Sequence, residues 1–257
     1  MNQMSTFPAS RMADALFPKV HQRVLAALFS TPDRSYYTCA LPCHDGGLRT
    51  LPTMTQPAFS APSERNKQPI FEVLRPLLPT TGHALEIASG TGQHVTWFAA
   101  HLPQWHWQPT DLADEFFDSI AQRTQAAQLN NVAAPRTLDV RDNTWPLGDA
   151  RYGLIYCANM LHIAPWACCA GLMQGAARHL APQGLLVTYG PYLEDEVPTA
   201  TSNLAFDQSL RARDPAWGLR RREDVAQEAQ RAGLHLVQRF EMPANNLLLV
   251  WAAEQPS

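Results

Sequence analysis

No apolar run in this chain reaches the roughly 18 residues that a membrane-spanning helix needs, and the first residues lack the short apolar core of a signal peptide. A cytoplasmic protein without a membrane partner is expected. Runs of Lys and Arg are also missing, and the formal net charge is −3, so there is no general attraction to a phosphate backbone or an anionic lipid surface. Nucleic acid is therefore not the favoured partner. Cysteines are few and odd in number: Cys39, Cys43, Cys157, Cys168 and Cys169 lack the paired spacing of a structural zinc site and fit a reduced thiol set. CALPCH (39–44) could supply three metal ligands with no evident fourth, so it is read as a loop and no metal site is expected. What is present is ordinary for a globular protein: 257 residues, 46% hydrophobic and 17% charged, suffice for a full core in one principal domain.

The chain changes character near residue 61. Before it, ADALFPKVHQRVLAALFS has the spacing of one amphipathic helix, and TLPTMTQPAFSAP is rich in proline and polar residues like a linker. Residues 1–60 are accordingly read as an N-terminal extension and 61–257 as the main domain. LFPKVHQRVLAALFSTPDRSYYT resembles the opening of a bacterial winged-helix regulator, but no recognition helix or wing follows it. From residue 84 onward strand-like runs alternate with helix-like ones: HALEI, HWQPTDL, VAAPRTLDV, GLIYCANMLHI and GLLVTYGPY are separated by helical stretches. After a last helix near EDVAQEAQRAG come two strands with no helix between them, LHLVQRFEM and NLLLVWAAE. This alternation predicts an α/β fold, a mostly parallel sheet with helices on both faces and an antiparallel edge hairpin.

The first strand runs into ALEIASGTGQH (84–94). In an open α/β sheet such a turn sits where ligands bind, at the carboxyl ends of the strands. Gly90 and Gly92 permit a sharp bend and close approach of a ligand, and the helix that follows offers free N–H groups. The dinucleotide fingerprint G-x-G-x-x-G is not met, because Val95 stands where its third glycine belongs, and Glu86 would repel a pyrophosphate. An NAD-linked dehydrogenase is thereby disfavoured and a cationic ligand is better matched. Glu86 through Gly92, acid-x-x-x-Gly-x-Gly, resembles the first motif of class I S-adenosylmethionine-dependent methyltransferases, whose ligand carries a sulfonium and an ammonium group. A turn that merely joins strand to helix is the alternative. Asp111 closes the second strand, where an acid accepts hydrogen bonds from ribose hydroxyls, although a helix N-cap would also use it. Asp139, after the third strand, is placed to receive an adenine amino group beside the Val140 backbone.

Further pieces complete a resemblance: SERNKQPI (63–70), EIASGTGQH (86–94), WQPTD (107–111), NMLHIAPW (159–166), YGPY (189–192), SNLAFDQSLRARDPAWGLR (202–220) and MPANN (242–246). Together they resemble the methyltransferase-like family long catalogued as a domain of unknown function, over roughly residues 57–255. The resemblance implies a Rossmann-like class I methyltransferase fold with a seven-stranded sheet, and S-adenosylmethionine as cofactor. Ala88 stands in place of the first glycine common in the broader superfamily and keeps a small side chain. The Asn-Pro-Pro-Tyr type motif of nucleic-acid base methylation is missing, although Asn159 occupies a comparable strand end.

Methyl transfer needs alignment and water exclusion more than a catalytic triad, and a general base only where the acceptor must lose a proton. His162, after the fourth strand, is the candidate base, an unperturbed histidine titrating near ~6.5; a packed histidine is the alternative. Tyr189 and Tyr192, at the end of the fifth strand, are candidates to wall the acceptor, or simply to pack. Asn203, Asp207, Arg213 and Trp217 lie in an insertion suited to covering the pocket, while Arg65, Asn66 and Lys67 are placed to reach the ligand carboxylate or acceptor. The expected function is S-adenosylmethionine-dependent methyl transfer to a small molecule. A protein acceptor, or a noncatalytic ligand-binding or scaffolding role, stays open at this point.

Overall fold

A computed structural model of the chain describes residues 56–253. Helix α1 (Ala61–Leu74) opens the fold, with Ser60 as its N-cap accepting from the Ser63 amide and a proline in its first turn, where the missing N–H costs nothing. There follow β1 (Gly82–Ile87), α2 (Gln93–His101), β2 (Trp105–Asp111), α3 (Phe117–Ala126), β3 (Arg136–Thr137) and β4 (Tyr152–Ala158). The second half contains α4 (Ala167–His179), β5 (Leu180–Gly190), β6 (Tyr192–Leu193), α5 (Thr201–Arg213), β7 (Arg220–Arg221), α6 (Arg222–Arg231), β8 (Leu234–Met242) and β9 (Asn246–Ala253).

Seven strands form one sheet in the order β3-β2-β1-β4-β5-β9-β8. The first five pair in parallel, while β9 runs antiparallel to β5 and to β8. The closing strands thus make the antiparallel hairpin that two successive strands require, with β9 inserted beside β5 and β8 left at the edge. Helices cover both faces. On one, Ile70, Phe71 and Leu74 of α1 and Val95 and Phe98 of α2 pack on Trp105, Trp107, Tyr156 and Val187. On the other, Leu172 and Met173 of α4 and Val225 and Ala229 of α6 pack on Leu85, Ile155, Leu249 and Trp251. Strands covered on both sides read as apolar runs rather than alternations, which is why LIYC and LLLVW belong to the middle of this sheet.

Two details depart from the sequence pattern. The third strand, expected over VAAPRTLDV, contracts to Arg136–Thr137 with an isolated bridge from Val132 to Trp107. Pro135 has no N–H for the ladder, which interrupts a longer pairing. A second, two-stranded sheet joins β6 to β7 in parallel; two residues per strand are too few to leave a periodic signal. Among the described residues no helix is long and apolar enough to cross a membrane.

Candidate active site

The strand order reverses between β1 and β4, and there the connections leaving the two strands diverge and open a crevice at their carboxyl ends. The turn after β1 lies at this place. Ala88, Gly90 and Gly92 all have positive φ, at 56°, 51° and 79°. A Cβ on Gly92 would come within 2.7 Å of Ile120 Cγ1, so α3 can approach only a glycine. A Cβ on Gly90 would meet nothing within 4 Å, leaving that side of the turn open. The turn is held from outside by side chains of α3: Ser119 Oγ and Arg123 Nε both donate to the Thr91 carbonyl at 3.0 Å, and Arg123 Nη2 donates to the Ala58 carbonyl.

Asp111, the last residue of β2, reaches the same turn. Its Oδ2 accepts from the Gly90 amide at 2.8 Å and its Oδ1 from the Leu112 amide at 2.7 Å. Glu86 is 2% exposed, and among the described residues its Oε2 has no hydrogen-bond partner. Burial raises its carboxyl to about 8 against an opposing hydrogen bond from Ser89, with a smaller upward push from the nearby Asp111 charge. One oxygen of this acid is left without a partner among the described residues, and a positive charge placed beside it would favour the ionised form.

Glu86, Gly90, Gly92 and Asp111 are thus brought together, with Ala88 in the turn itself. Asp139 follows β3, but its carboxylate forms a two-pronged ion pair with Arg141, with contacts of 2.5 to 3.0 Å, and accepts from the Arg141 amide at 2.9 Å. Those bonds hold it below the usual carboxylate range. Val140 is buried, its carbonyl taking the Trp145 indole N–H.

The opposite wall comes from the ends of β4 and β5. Asn159 follows β4 in the left-handed region (φ 59°), and its amide donates to the Tyr189 carbonyl at 2.8 Å. His162 lies in a short 3-10 helix (Leu161–Ile163), is 6% exposed and packs against Gly190, where a Cβ would stand 3.3 Å from its Nδ1. Burial, reinforced by the positive Arg220, lowers its pKa to about 4. The histidine is therefore no near-neutral titrator in this environment: it is a neutral ring well above its own pKa. Tyr189 is buried beside Arg65, Asn66 and Asn246, its phenol pushed up by burial. Tyr192 takes another place, its hydroxyl donating to Thr188 Oγ1 at 2.9 Å within the core on the α4 and α6 side, so it packs rather than facing an acceptor.

The insertion closes over His162 by contacts that sequence reading misses. Phe206 of α5 meets its ring edge-on with centroids 5.5 Å apart, and the Gly218 amide donates to its carbonyl at 3.0 Å. Arg220 braces the loop by donating to the carbonyls of Leu161, Ala164 and Ala216. Of the residues expected to cover the pocket, Asn203 ties α5 to the Asn245 carbonyl, Asp207 accepts from the Leu219 amide and Arg211, and Arg213 stacks over Trp217. Lys67 pairs with Glu64. Among the described residues no cluster of three or more His, Cys, Asp or Glu side chains is placed to hold a metal ion, and CALPCH lies outside the described residues.

This fold is that of the class I methyltransferases. It is similar to an O-methyltransferase family protein from Burkholderia thailandensis (TM-score 0.64, 17% identity, covering 76% of this chain and 59% of that one). It is likewise similar to the mitomycin 7-O-methyltransferase (TM-score 0.64, 14% identity, 76% and 56%) and to a calicheamicin-biosynthesis methyltransferase in its SAH-bound form (TM-score 0.57, 13% identity, 69% and 50%). The chain spans 50% to 59% of the length of these structures. The family described as "Protein of unknown function (DUF938)" matches over residues 57–253, and the chain belongs to that family.

Proposed function

We propose that this protein is an S-adenosylmethionine-dependent methyltransferase whose acceptor is a small molecule. The observation that carries the reading is Glu86, a buried acid with an unpartnered oxygen beside a glycine turn that is open at Gly90. An ammonium or sulfonium beside this acid would draw it into its ionised form and offset the cost of its burial, which an apolar or anionic ligand would not do. The fit continues outward from there. Asp111 retains acceptor capacity for ribose hydroxyls while holding the Gly90 amide. The backbone of Ala88, Gly90 and Gly92 allows the ligand to come close. At the adenine end Asp139 orders the turn beside the Val140 main chain, its charge being committed to Arg141. Asn159 shapes the crevice from the β4 side.

When bound, S-adenosylmethionine supplies a methyl group already activated by its sulfonium. The protein's part is to fix the acceptor in line and keep water out, and such alignment is worth roughly 7–11 kcal/mol of barrier. In this reading His162, a neutral ring, takes a proton from a hydroxyl or ammonium acceptor that Tyr189 orients. The likeness to the mitomycin 7-O-methyltransferase supports that acceptor class. The test is mass spectrometry of purified protein incubated with S-adenosylmethionine and host metabolite extract, preceded by calorimetry with S-adenosylhomocysteine. A reproducible product one methylene unit heavier is expected. Absence of binding in calorimetry overturns the reading, and binding with methylation of proteins alone changes the acceptor class.

A further inference from the structure

A second cleft, of about 420 Å³, lies between the start of α4, the end of α5, β7 and α6. That volume suits a small ligand, and none of the residues proposed to hold the cofactor or the acceptor lines it. Trp166 and Leu219 give it an apolar wall, and Arg211, Arg220, Arg221 and Arg231 give it positive charge. Three of these cations already have a carboxylate: Arg211 meets Asp207 at 2.8 Å, Arg231 meets Glu228 at 2.5 Å, and Arg221 pairs with Asp195.

Arg220 differs from the other three. It is half-buried, and among the described residues it forms no ion pair. Its Nε donates to the Leu161 carbonyl at 3.0 Å and its Nη2 to those of Ala164 and Ala216, both at 2.7 Å, which leaves the two Nη1 hydrogens without an acceptor among the described residues. Neutral carbonyls satisfy N–H groups but do not cancel a charge. Burial and the neighbouring Arg211 both work against the ionised guanidinium, and an anion would relieve both. The rest of the lining limits what that anion can be. Asp224, exposed and without an ion pair among the described residues, and Glu228 stand on the α6 wall. A polyphosphate or nucleic acid would bring further negative charge against these acids, whereas a single carboxylate would not. The Trp166 ring, with the Arg220 guanidinium 5.7 Å from its centroid, offers a flat apolar surface beside the charge.

We propose that this cleft binds a small organic monocarboxylate, with its carboxylate on Arg220 and its apolar body against Trp166 and Leu219, and that occupancy is transmitted to the turn that carries His162. Two sets of contacts make the connection. Arg220 donates to the carbonyls of Leu161 and Ala164, one on each side of His162. The Arg211 guanidinium lies against Gly218, where an added Cβ would come within 2.6 Å of its Cζ, and the Gly218 amide donates to the His162 carbonyl at 3.0 Å. An anion that draws these guanidinium groups toward itself pulls on the His162 turn without entering the crevice. The proposal goes beyond the cofactor reading, and the binding it describes does not depend on that reading.

The probe is benzoate, titrated into full-length protein without cofactor and followed by nitrogen NMR. The Arg220 Nε–H, Trp166 indole N–H and His162 ring signals are identified by their loss in Arg220→Gln, Trp166→Phe and His162→Gln. Saturable shifts are expected at all three. Benzamide, of the same shape without the charge, should bind the wild-type protein about tenfold more weakly, and benzoate should bind Arg220→Gln about tenfold more weakly than wild type. Because Arg220 also braces the turn, the exposed Asp224 supplies an independent check: Asp224→Asn should tighten benzoate by about twofold to fivefold, and should reduce the disadvantage of isophthalate, a dianion that the wild type should hold more weakly than benzoate. Absent or linear shifts, equal binding of benzamide, or a wild-type preference for isophthalate would overturn the site. Saturable shifts confined to the glycine turn would place the anion in the cofactor crevice and overturn it as well. A His162 ring unmoved while Arg220 and Trp166 saturate overturns the transmission.

Discussion

Asp111 and Gly90 hold each other: the Gly90 amide donates to Asp111 Oδ2 at 2.8 Å, so the acid proposed for the ribose also fixes the turn that frames the ligand. Asp111→Ala should therefore act twice. Hydrogen bonds to a charged acceptor contribute about 1.5–3 kcal/mol each, and losing those to the ribose should weaken S-adenosylhomocysteine at least tenfold. Thermal unfolding without ligand should also fall, because the Gly90 amide loses its partner. A folded variant with unchanged affinity removes Asp111 from the site.

Gly92 tests the backbone of the turn and its packing against α3. Its φ of 79°, and the 2.7 Å that would separate an added Cβ from Ile120 Cγ1, leave no room for alanine. Gly92→Ala should lower stability by about 1–3 kcal/mol from backbone strain alone, with more if α3 must move. Denaturant titration measures this. A neutral outcome would mean that the turn is more plastic than its φ angles and the packing of α3 imply.

The sequence carries these features unequally. Glu86, Gly90, Gly92 and Asp111 are legible because each belongs to a short local pattern at a strand end, and the alternation of strands and helices sets the strand ends side by side. His94 closes the same stretch, ALEIASGTGQH, but its hydrogen-bond partners are Asn66 from α1 and Tyr156 from β4, distant in sequence from one another. Such a chain leaves no spacing to read. Phe206 and Arg220 are hidden for the same reason, since they reach His162 only after the insertion folds back. Asp139 shows the converse: its position at a strand end is readable, but its capture by Arg141 two residues on depends on a turn geometry that the sequence does not display.

The buried acid should also leave a mark on stability. Glu86 rises from 4.5 to about 8 on folding, so the folded protein keeps a proton that the unfolded chain releases, and stability is lost as pH rises through that window. His94 and His162 work in the opposite sense: each falls from 6.5 to about 4, so their contribution is present above 6.5 and lost as pH falls toward 4. Between pH 6.5 and 8 only Glu86 of these three still changes, and ligand-free protein should weaken there by up to about 1.4 kcal/mol per unit. Glu86→Gln should flatten this limb, and so should a bound ammonium ligand. Thermal unfolding across the range checks both, and a limb that persists in Glu86→Gln must come from another group.

The N-terminal extension, residues 1–60 by composition, is proposed to be dispensable for cofactor binding, with the cut placed by two contacts. The Ala58 carbonyl accepts from Arg123, and the Ser60 amide donates to Gln93 Oε1 at 2.5 Å, so both secure the region around the glycine turn. Protein beginning at Gln56 should bind S-adenosylhomocysteine as the full chain does, whereas protein beginning at Ala61 should bind more weakly. If the Gln56 form aggregates or loses binding, earlier residues belong to the functional unit.

Catalysis turns on the state of His162. Its pKa of about 4, set by burial and the Arg220 charge, means the neutral ring is the resident form across the physiological range. If it removes a proton from the acceptor, His162→Gln should lower turnover by on the order of 10²–10⁴ with cofactor affinity nearly unchanged, and a slow reaction should survive on alignment alone. The sign of the pH dependence follows. Wild-type turnover should be level through pH 6.5, where an ordinary histidine would titrate, and should fall only as pH approaches the depressed value, a fall absent from the variant. Loss of the positive Arg220 neighbour in Arg220→Gln should move this acid limb upward. An acid limb centred near 6.5 would show that substrate binding opens His162 to solvent, and full turnover in His162→Gln would leave positioning as the whole of the protein's contribution.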